Sequence, residues 1–450
     1  NQNVFGNGAA GTTATFTNTG TFTVAATANV GAAGLDADIA TSASASAGGL
    51  IIDADAVTLA VDNQKPFSVT ATARANDNAE ASAIGMGVYA TDGTLTGPAS
   101  SEVWTGDNTL SGTLANSGAL TVTASATVGT GGVGNVATAN AIGIEETSLV
   151  NNSTINNTNT LTVSAITNGG TSTAVGIRIN TFDTGADAPA PDAVGPVLLA
   201  VPTAEDVVTI NNVGTSLVAR ESVDGGTTWT HGLAIDTSGA PNAAVINLKG
   251  AGTTHGVIYG DIDVSADDTI NVSNGVTEFD GKINPGAELE GQLNIASGGT
   301  LYLRDKSWDN TSYDGPAKVN VDDFNVAAGG TLAIDLPTAP NEADVLGFPT
   351  VSATTANITG STLEVHPNSS NGLYADSYTF NDIIHTPGNV ITGTGGLTGT
   401  FANITTVSDT PLFTFTALYN QNVDGSDNVI GGECSVLSVL SGWLRRDRYA

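Results

Sequence analysis

The chain has 450 residues, with 44 Asp plus Glu against 12 Lys plus Arg, for a formal net charge of −32. A surface this acidic repels phosphate backbones and anionic headgroups, which excludes nucleic acid and peripheral membrane surfaces as partners. One cysteine excludes an internal disulfide framework, and the four histidines, His231, His255, His366 and His385, stand at no metal-ligand spacing. So few basic residues, with 5% aromatics, leave no material for long amphipathic helices. The apolar residues are mostly Ala, Val, Ile and Leu in short ordered runs, which predicts a folded chain rather than a low-complexity one. No run of about 18 apolar residues is present, so membrane insertion by a helix is excluded. The first residue is Asn1, and no charged and apolar leader follows it, which fits either a removed signal segment or first residues lost another way. Scarce Cys and Lys with an acidic balance point to a location outside the cytoplasm.

In chain order, the first 180 residues repeat a motif that opens on Asn and closes on an apolar, Thr/Ser, Val triplet. It runs from Asn18 to Phe22-Thr23-Val24, Asn63 to Phe67-Ser68-Val69, Asn116 to Leu120-Thr121-Val122, and Asn157 to Leu161-Thr162-Val163. Second strand-like pieces follow at Ala83-Ile84-Gly85, Ala141-Ile142-Gly143-Ile144 and Ala174-Val175-Gly176-Ile177. Residues 183–205 are Pro- and Ala-rich and read as an extruded loop or linker. From 206 to 430 the strand pattern resumes, with Ile270, Leu301, Leu332 and Leu363 spaced 31 residues apart. Gly298-Gly299, Gly329-Gly330 and Gly360-Ser361 precede the last three as turns. Residues 431–450, with Cys434, Trp443, Arg445, Arg446 and Arg448, form an atypical tail that resembles nothing upstream.

Short alternating strands closed by Gly, Asn or Asp turns, repeating every 20 to 50 residues without helices between them, predict an all-β fold of the right-handed parallel β-helix (β-solenoid) class with extruded loops. Inward Val, Leu, Ile and Phe would form its core, and Asn and Thr would form ladders between stacked strands. A tandem β-sandwich and a propeller are the alternatives. On this reading 1–182 is an N-terminal solenoid with irregular coils and 206–430 a C-terminal one.

The stretch from Gly360-Ser361-Thr362-Leu363-Glu364-Val365 through Tyr378 to Ile384, Ile391-Thr392-Gly393, Leu397-Thr398-Gly399-Thr400-Phe401 and Leu412 to Tyr419 resembles the closing region of bacterial autotransporter passenger domains, of the pertactin-like and adhesin type. The resemblance covers about 360–420 well, and the upstream repeats in style. It implies a β-helix that folds from this end and a place outside the cell or on the bacterial cell surface. It also implies a membrane barrel beyond the passenger, whose strand pattern is absent up to Ala450. Val436 to Leu444 followed by Arg445-Arg446 also resembles a C-terminal sorting signal, though a short one.

Candidate chemistry is sparse. His231, Asp236 and Ser238 are the residue types of a hydrolase triad, but no Gly-x-Ser-x-Gly elbow holds them, and they read as a surface loop. Gly129–Gly134 and Gly393–Gly396 open no helix and read as turns rather than phosphate loops. Carboxylates pair at Asp36/Asp38, Asp53/Asp55, Asp261/Asp263, Asp267/Asp268 and Asp322/Asp323. Calcium, which takes turn oxygens, is the ion they would hold, with Asp261, Asp263, Asp267 and Asp268 the best set; solvated charge is the plainer reading. Thr70/Thr72 and Thr121/Thr123 would make a flat hydroxyl ladder only in strict register, which spacings of 45, 53 and 41 argue against. Trp104, Trp229 and Trp308 suit carbohydrate stacking or loop packing.

The functional expectation is a non-enzymatic extracellular structural or adhesive protein, a rod-like solenoid presenting loops to other surface proteins, glycans or copies of itself. A self-assembling surface-layer or filament subunit is the alternative. A polysaccharide-active enzyme ranks below both, because no Lys or Arg occurs between residues 75 and 177 to join the carboxylates.

Overall fold

The computed structural model describes residues 2–5, 12–30, 41–91, 94–96, 103–105, 108–129, 135–181, 203–286, 288–305, 315–337, 347–368, 377–386, 396–407, 413–423 and 429–440. Among these the protein is all-β with no α-helix, and its strands pair predominantly in parallel. No helix of the described residues is long and apolar enough to cross a membrane. The chain divides into two compact units, Asn1–Ile246 and Asn247–Ala450. Of the sequence-read segments, most of 183–205, together with 441–450, Asp36/Asp38 and the loops at 130–134 and 391–395, lies outside the described residues.

In the first unit the chain visits three parallel ladders in strict rotation. One joins Thr12–Asn18, Val57–Asn63, Thr109–Asn116, Val150–Asn157 and Val208–Val213. A second joins Phe22–Asn29, Phe67–Ala75, Leu120–Val128, Leu161–Thr167 and Ser216–Ser222. The third joins Gln2–Phe5, Ser42–Ala54, Asn78–Ala90, Val136–Ser148, Thr171–Thr181 and Leu233–Gly239. Parallel partners cannot follow one another through a tight turn, so each strand finds its partner one full repeat away. The repeated valines stand in one register column, Val24, Val69, Val122 and Val163, despite their unequal spacing. Extra residues therefore leave the ladders in the connections and do not shift the register.

Alternation sends one side of each strand inward. Phe67, Val69, Leu120, Val122, Leu161 and Val163 are buried, and each such side chain contributes roughly 1.5–3 kcal/mol. Where the first ladder hands over to the second, the core is polar. Asn18 Nδ2 donates to Asn63 Oδ1 at 2.7 Å, Asn63 to Asn116 at 2.8 Å, Asn116 to Asn157 at 2.8 Å and Asn157 to Asn212 at 2.6 Å. Asn63, Asn116 and Asn157 are wholly buried, so only this column and the adjacent backbone can satisfy their amides. The Ala-Ile-Gly pieces mark a second column. A Cβ on Gly49, Gly85, Gly143 or Gly176 would stand 2.3–2.5 Å from the carbonyl oxygen of the next strand, so only glycine fits that approach.

In the second unit the strands again stack in parallel ladders. Its longest runs through Gly256–Tyr259, Gly275–Asp280, Gly299–Leu303, Thr331–Pro337, Thr362–Asn368 and Asn403–Thr406. Leu301, Leu332 and Leu363 are stacked there as their spacing predicts. Ile270 is not. It pairs with Leu293 in another ladder, and Thr277 takes the position below Leu301, because this part of the chain completes a repeat in fewer residues. Gly298, Gly329 and Gly360 all turn with φ near +75°, the conformation their sequence positions call for.

The all-parallel expectation fails at the C-terminal end. Phe413–Val423 and Val429–Leu440 pair antiparallel, and the latter also pairs antiparallel with Ser377–Thr386. The chain reverses instead of advancing another repeat, and the boundary read between 430 and 431 falls inside the strand Val429–Leu440.

Two outcomes are expected. Asn116→Ala removes the amide between Asn63 and Asn157 and should cost about 1–3 kcal/mol in urea unfolding, by leaving buried groups unpaired. Glu146 is wholly buried, and burial raises its pKa against the lowering effect of hydrogen bonds from Ser153 and Asn151. Its Oε1 has no hydrogen-bond partner. The folded chain therefore holds this proton at pH values where the unfolded chain releases it, and stability drains as pH rises above the ordinary carboxylate range. Glu146→Gln should match the parent near about pH 4 and exceed it increasingly toward about pH 8, measured by denaturant midpoints.

Candidate functional site

Strict register places every outward side chain in a column with its counterparts one repeat away, so residues distant in sequence meet on one face. On the longest ladder of the second unit the register rows are Glu278, Tyr302, Ala333, Glu364 and, beside it, Asp335, His366. Arg304 follows the strand Gly299–Leu303 directly. Its Nη1 donates to Glu278 Oε2 at 2.5 Å, and its Nε makes an ion-pair contact with Asp335 Oδ2 at 3.4 Å. Tyr302 Oη donates to Asp335 Oδ1 at 2.5 Å, and the Asp305 amide donates to Asp335 Oδ2 at 3.1 Å.

Histidines close both ends of this cluster. His255 Nδ1 lies 2.6 Å from Glu278 Oε1, and His366 Nε2 lies 2.7 Å from Glu364 Oε1. The His366 ring also stacks on Tyr302, with centroids 4.2 Å apart. Ala333, the register partner of Tyr302, is small enough to leave that ring room to lie over it. Asp335 is almost wholly buried, while Arg304, Glu278 and His366 keep about a fifth of their side-chain surface exposed. Burial, and then the Asp335 charge and hydrogen bond, hold the Tyr302 phenol above its usual range, so it stays a donor. The arrangement offers the His366 ring, a fixed guanidinium and the Glu278 and Glu364 carboxylates on a partly exposed surface, with Tyr302 and Asp335 beneath them; His366 stacks on the Tyr302 ring and the Arg304 guanidinium lies 5.2 Å from its centroid. That combination suits hydroxyl-rich ligands, which need both hydrogen bonds and a ring to stack on.

A shorter set lies in the first unit. Arg178 Nε donates to Asp236 Oδ2 at 3.2 Å, its Nη1 stands 4.0 Å from Glu145 Oε1, and Tyr89 Oη donates to Glu145 Oε2 at 2.7 Å. The scarcity of basic residues between 75 and 177 therefore does not leave the carboxylates without an arginine. Arg178 stacks on Glu145 from the next repeat. His231, Asp236 and Ser238 are not a surface loop. Asp236 sits in the strand Leu233–Gly239 and takes Ser238 Oγ at 2.8 Å, whereas His231 pairs opposite Arg220 in a hairpin. Trp229 packs under the Arg220 guanidinium at 4.0 Å, beside a turn whose Asp224 is drawn to about pKa 2 by hydrogen bonds, that from Thr228 first. The side chains of Trp104 and Trp308 lie outside the described residues.

The four aspartates do not converge. Asp261 Oδ1 accepts the Lys282 amide at 2.8 Å, buried Asp268 accepts the Ser265 amide at 2.8 Å, and Asp267 is exposed. The Asp261 and Asp268 carboxylates thus serve a strand end and a turn, and the four form no set of three donors within reach of one ion. Among the described residues the donors that do converge are Asp382, His385 and Glu433. The hydroxyl expectation is also corrected: Thr23, Ser68, Thr121 and Thr162 share one column, and Thr70, Thr123 and Ser164 another, because uneven spacing is absorbed in the connections.

The Arg304 cluster was within reach of sequence reasoning. Arg304, Asp335 and His366 each stand three residues after a leucine of the 31-residue repeat, so the same period carries the polar row. Compared with protein-family models, with curated proteins and with solved structures, the chain matches none.

Replacing Arg304 with Met should cost on the order of 3 kcal/mol, because it removes the cation that faces the almost wholly buried Asp335 carboxylate. Tyr302→Phe should cost about 1 kcal/mol. In a double-mutant cycle followed by urea unfolding, the two losses should fall short of additivity, since both residues act on Asp335.

Proposed function

We propose that the chain is an extracellular structural or adhesive surface protein of the autotransporter-passenger kind. Its fold is a right-handed parallel β-helix that contacts its partners through aligned outward columns rather than through an enclosed catalytic pocket. The observation that carries this reading is the strict rotation through three parallel ladders, which repeats each outward position at one fixed rise. A charge of −32 keeps such a surface soluble and averse to anionic partners. Glycans fit the row around Arg304 best, where Tyr302 and His366 offer stacked rings beside Glu278 and Asp335. An open groove of about 410 Å³, lined by Ala43, Ala79 and Val136 together with Ser42, Ser44, Asn78, Glu80 and Thr138, offers a second surface of mixed polar and apolar character.

A second reading draws on the same geometry. Glu145, Arg178 and Asp236, and likewise Glu278, Arg304 and Asp335, give the carboxylate and arginine sets that a polysaccharide-active enzyme needs.

The test is binding of the full chain to a glycan array, together with a microscopy series over rising concentration. An adhesin should bind a restricted set of glycans without consuming them, and His366→Ala, which removes the exposed ring, should weaken that binding at least about tenfold. Release of new reducing ends would favour the enzymatic reading. Ordered polymers without glycan binding would favour self-assembly instead.

A further inference from the structure

We propose that Asp382, His385 and Glu433 form a binding site for a divalent transition ion of the zinc class. The antiparallel pairing of Ser377–Thr386 with Val429–Leu440 sets His385 directly opposite Glu433, so the two side chains share a face. Between the pairs Phe380–Val436 and Ile384–Cys434, the first strand carries three residues where its partner carries one. That bulge contains Asp382 at φ +56°, with its amide donating to Ser435 Oγ at 3.1 Å. Bulges re-aim side chains, and this one brings the Asp382 carboxylate within 4.8 Å of both other donors.

The imidazole gives a second, independent sign. Although the His385 side chain is 41% exposed, its Nδ1 is turned away from solvent with no hydrogen-bond partner among the described residues, and Glu433 Oε1 stands 4.0 Å away. That distance is too long for a hydrogen bond. It suits two ligands of one ion, because bonds of about 2.1 Å at open angles put ligand atoms roughly 3.3–4 Å apart. A cation among the three donors would give that idle ring nitrogen a partner. One nitrogen and two carboxylates favour zinc over calcium or magnesium, which prefer oxygen alone. Three protein ligands leave a position for water. Cys434 directly follows Glu433 in sequence but faces the core, and burial pushes its thiol up to about 12, so it stays outside the donor set.

The test uses the full chain, stripped with a chelator and titrated with Zn²⁺ alone, and separately with Co²⁺ to read the visible absorption of a low-coordinate site. The expected result is saturable binding that excess Ca²⁺ or Mg²⁺ does not displace. His385→Ala, Glu433→Gln and Asp382→Asn should each weaken it at least about tenfold, and His231→Ala, outside the donor set, should leave it unchanged. Asp382→Asn keeps a residue tolerant of positive φ, so it separates lost ligation from lost folding. Parent protein that takes up no Zn²⁺, or folded Asp382→Asn and Glu433→Gln chains that bind like the parent, would overturn the site.

Discussion

A column of asparagine amides holds the first unit in register. Each of Asn63, Asn116 and Asn157 is wholly buried, donates to the next and accepts from the one before. A single such bond contributes only about 1 kcal/mol net. Its weight lies in what a slip would do: shifting one strand by one residue would turn its inward residues outward and strand buried amides without partners. The hydrophobic rows on either side reward any inward pairing, but the amides accept only one. In the second unit a row of Asn247, Asn271, Asn294 and Asn325 links successive strands at 3.2–3.3 Å, half-buried and so less demanding. That unit leans more on turns, where Gly298, Gly329 and Gly360 stack through their backbones.

Register is also what creates the chemistry. Glu278, Arg304 and Asp335 come from three successive strands and would have no reason to meet without it. The same is true of Glu145, Arg178 and Asp236. At the C-terminal end the geometry changes from parallel to antiparallel, and a bulge gathers the donors Asp382, His385 and Glu433. Regular stacking makes continuous surfaces, whereas the departure from it makes a point site.

Much of the fold could be read from periodicity, because the motifs anchored on Asn18, Asn63, Asn116 and Asn157 repeat the features that stack. Their uneven spacing misled only about the hydroxyl columns, since the connections absorb length without disturbing the strands. Ile270 was misassigned for a related reason: more than one ladder carries Thr-apolar strands, and spacing alone does not say which ladder a strand joins. Local pairs of carboxylates drew attention to Asp261, Asp263, Asp267 and Asp268, of which Asp261 and Asp268 accept backbone amides. The convergent donors at 382, 385 and 433 are separated by a chain reversal that no local spacing records.

The central claim is that sequence-distant strands stack in one register column. Spin labels at Thr23 paired in turn with Ser68, Thr121 and Thr162 would test it most directly, because these outward residues occupy successive strands of one ladder. The expected separations rise in equal steps of about 4.8 Å per strand, whatever the length of chain between the labels. Separations that follow chain length, or that do not rise in equal steps, would contradict the account.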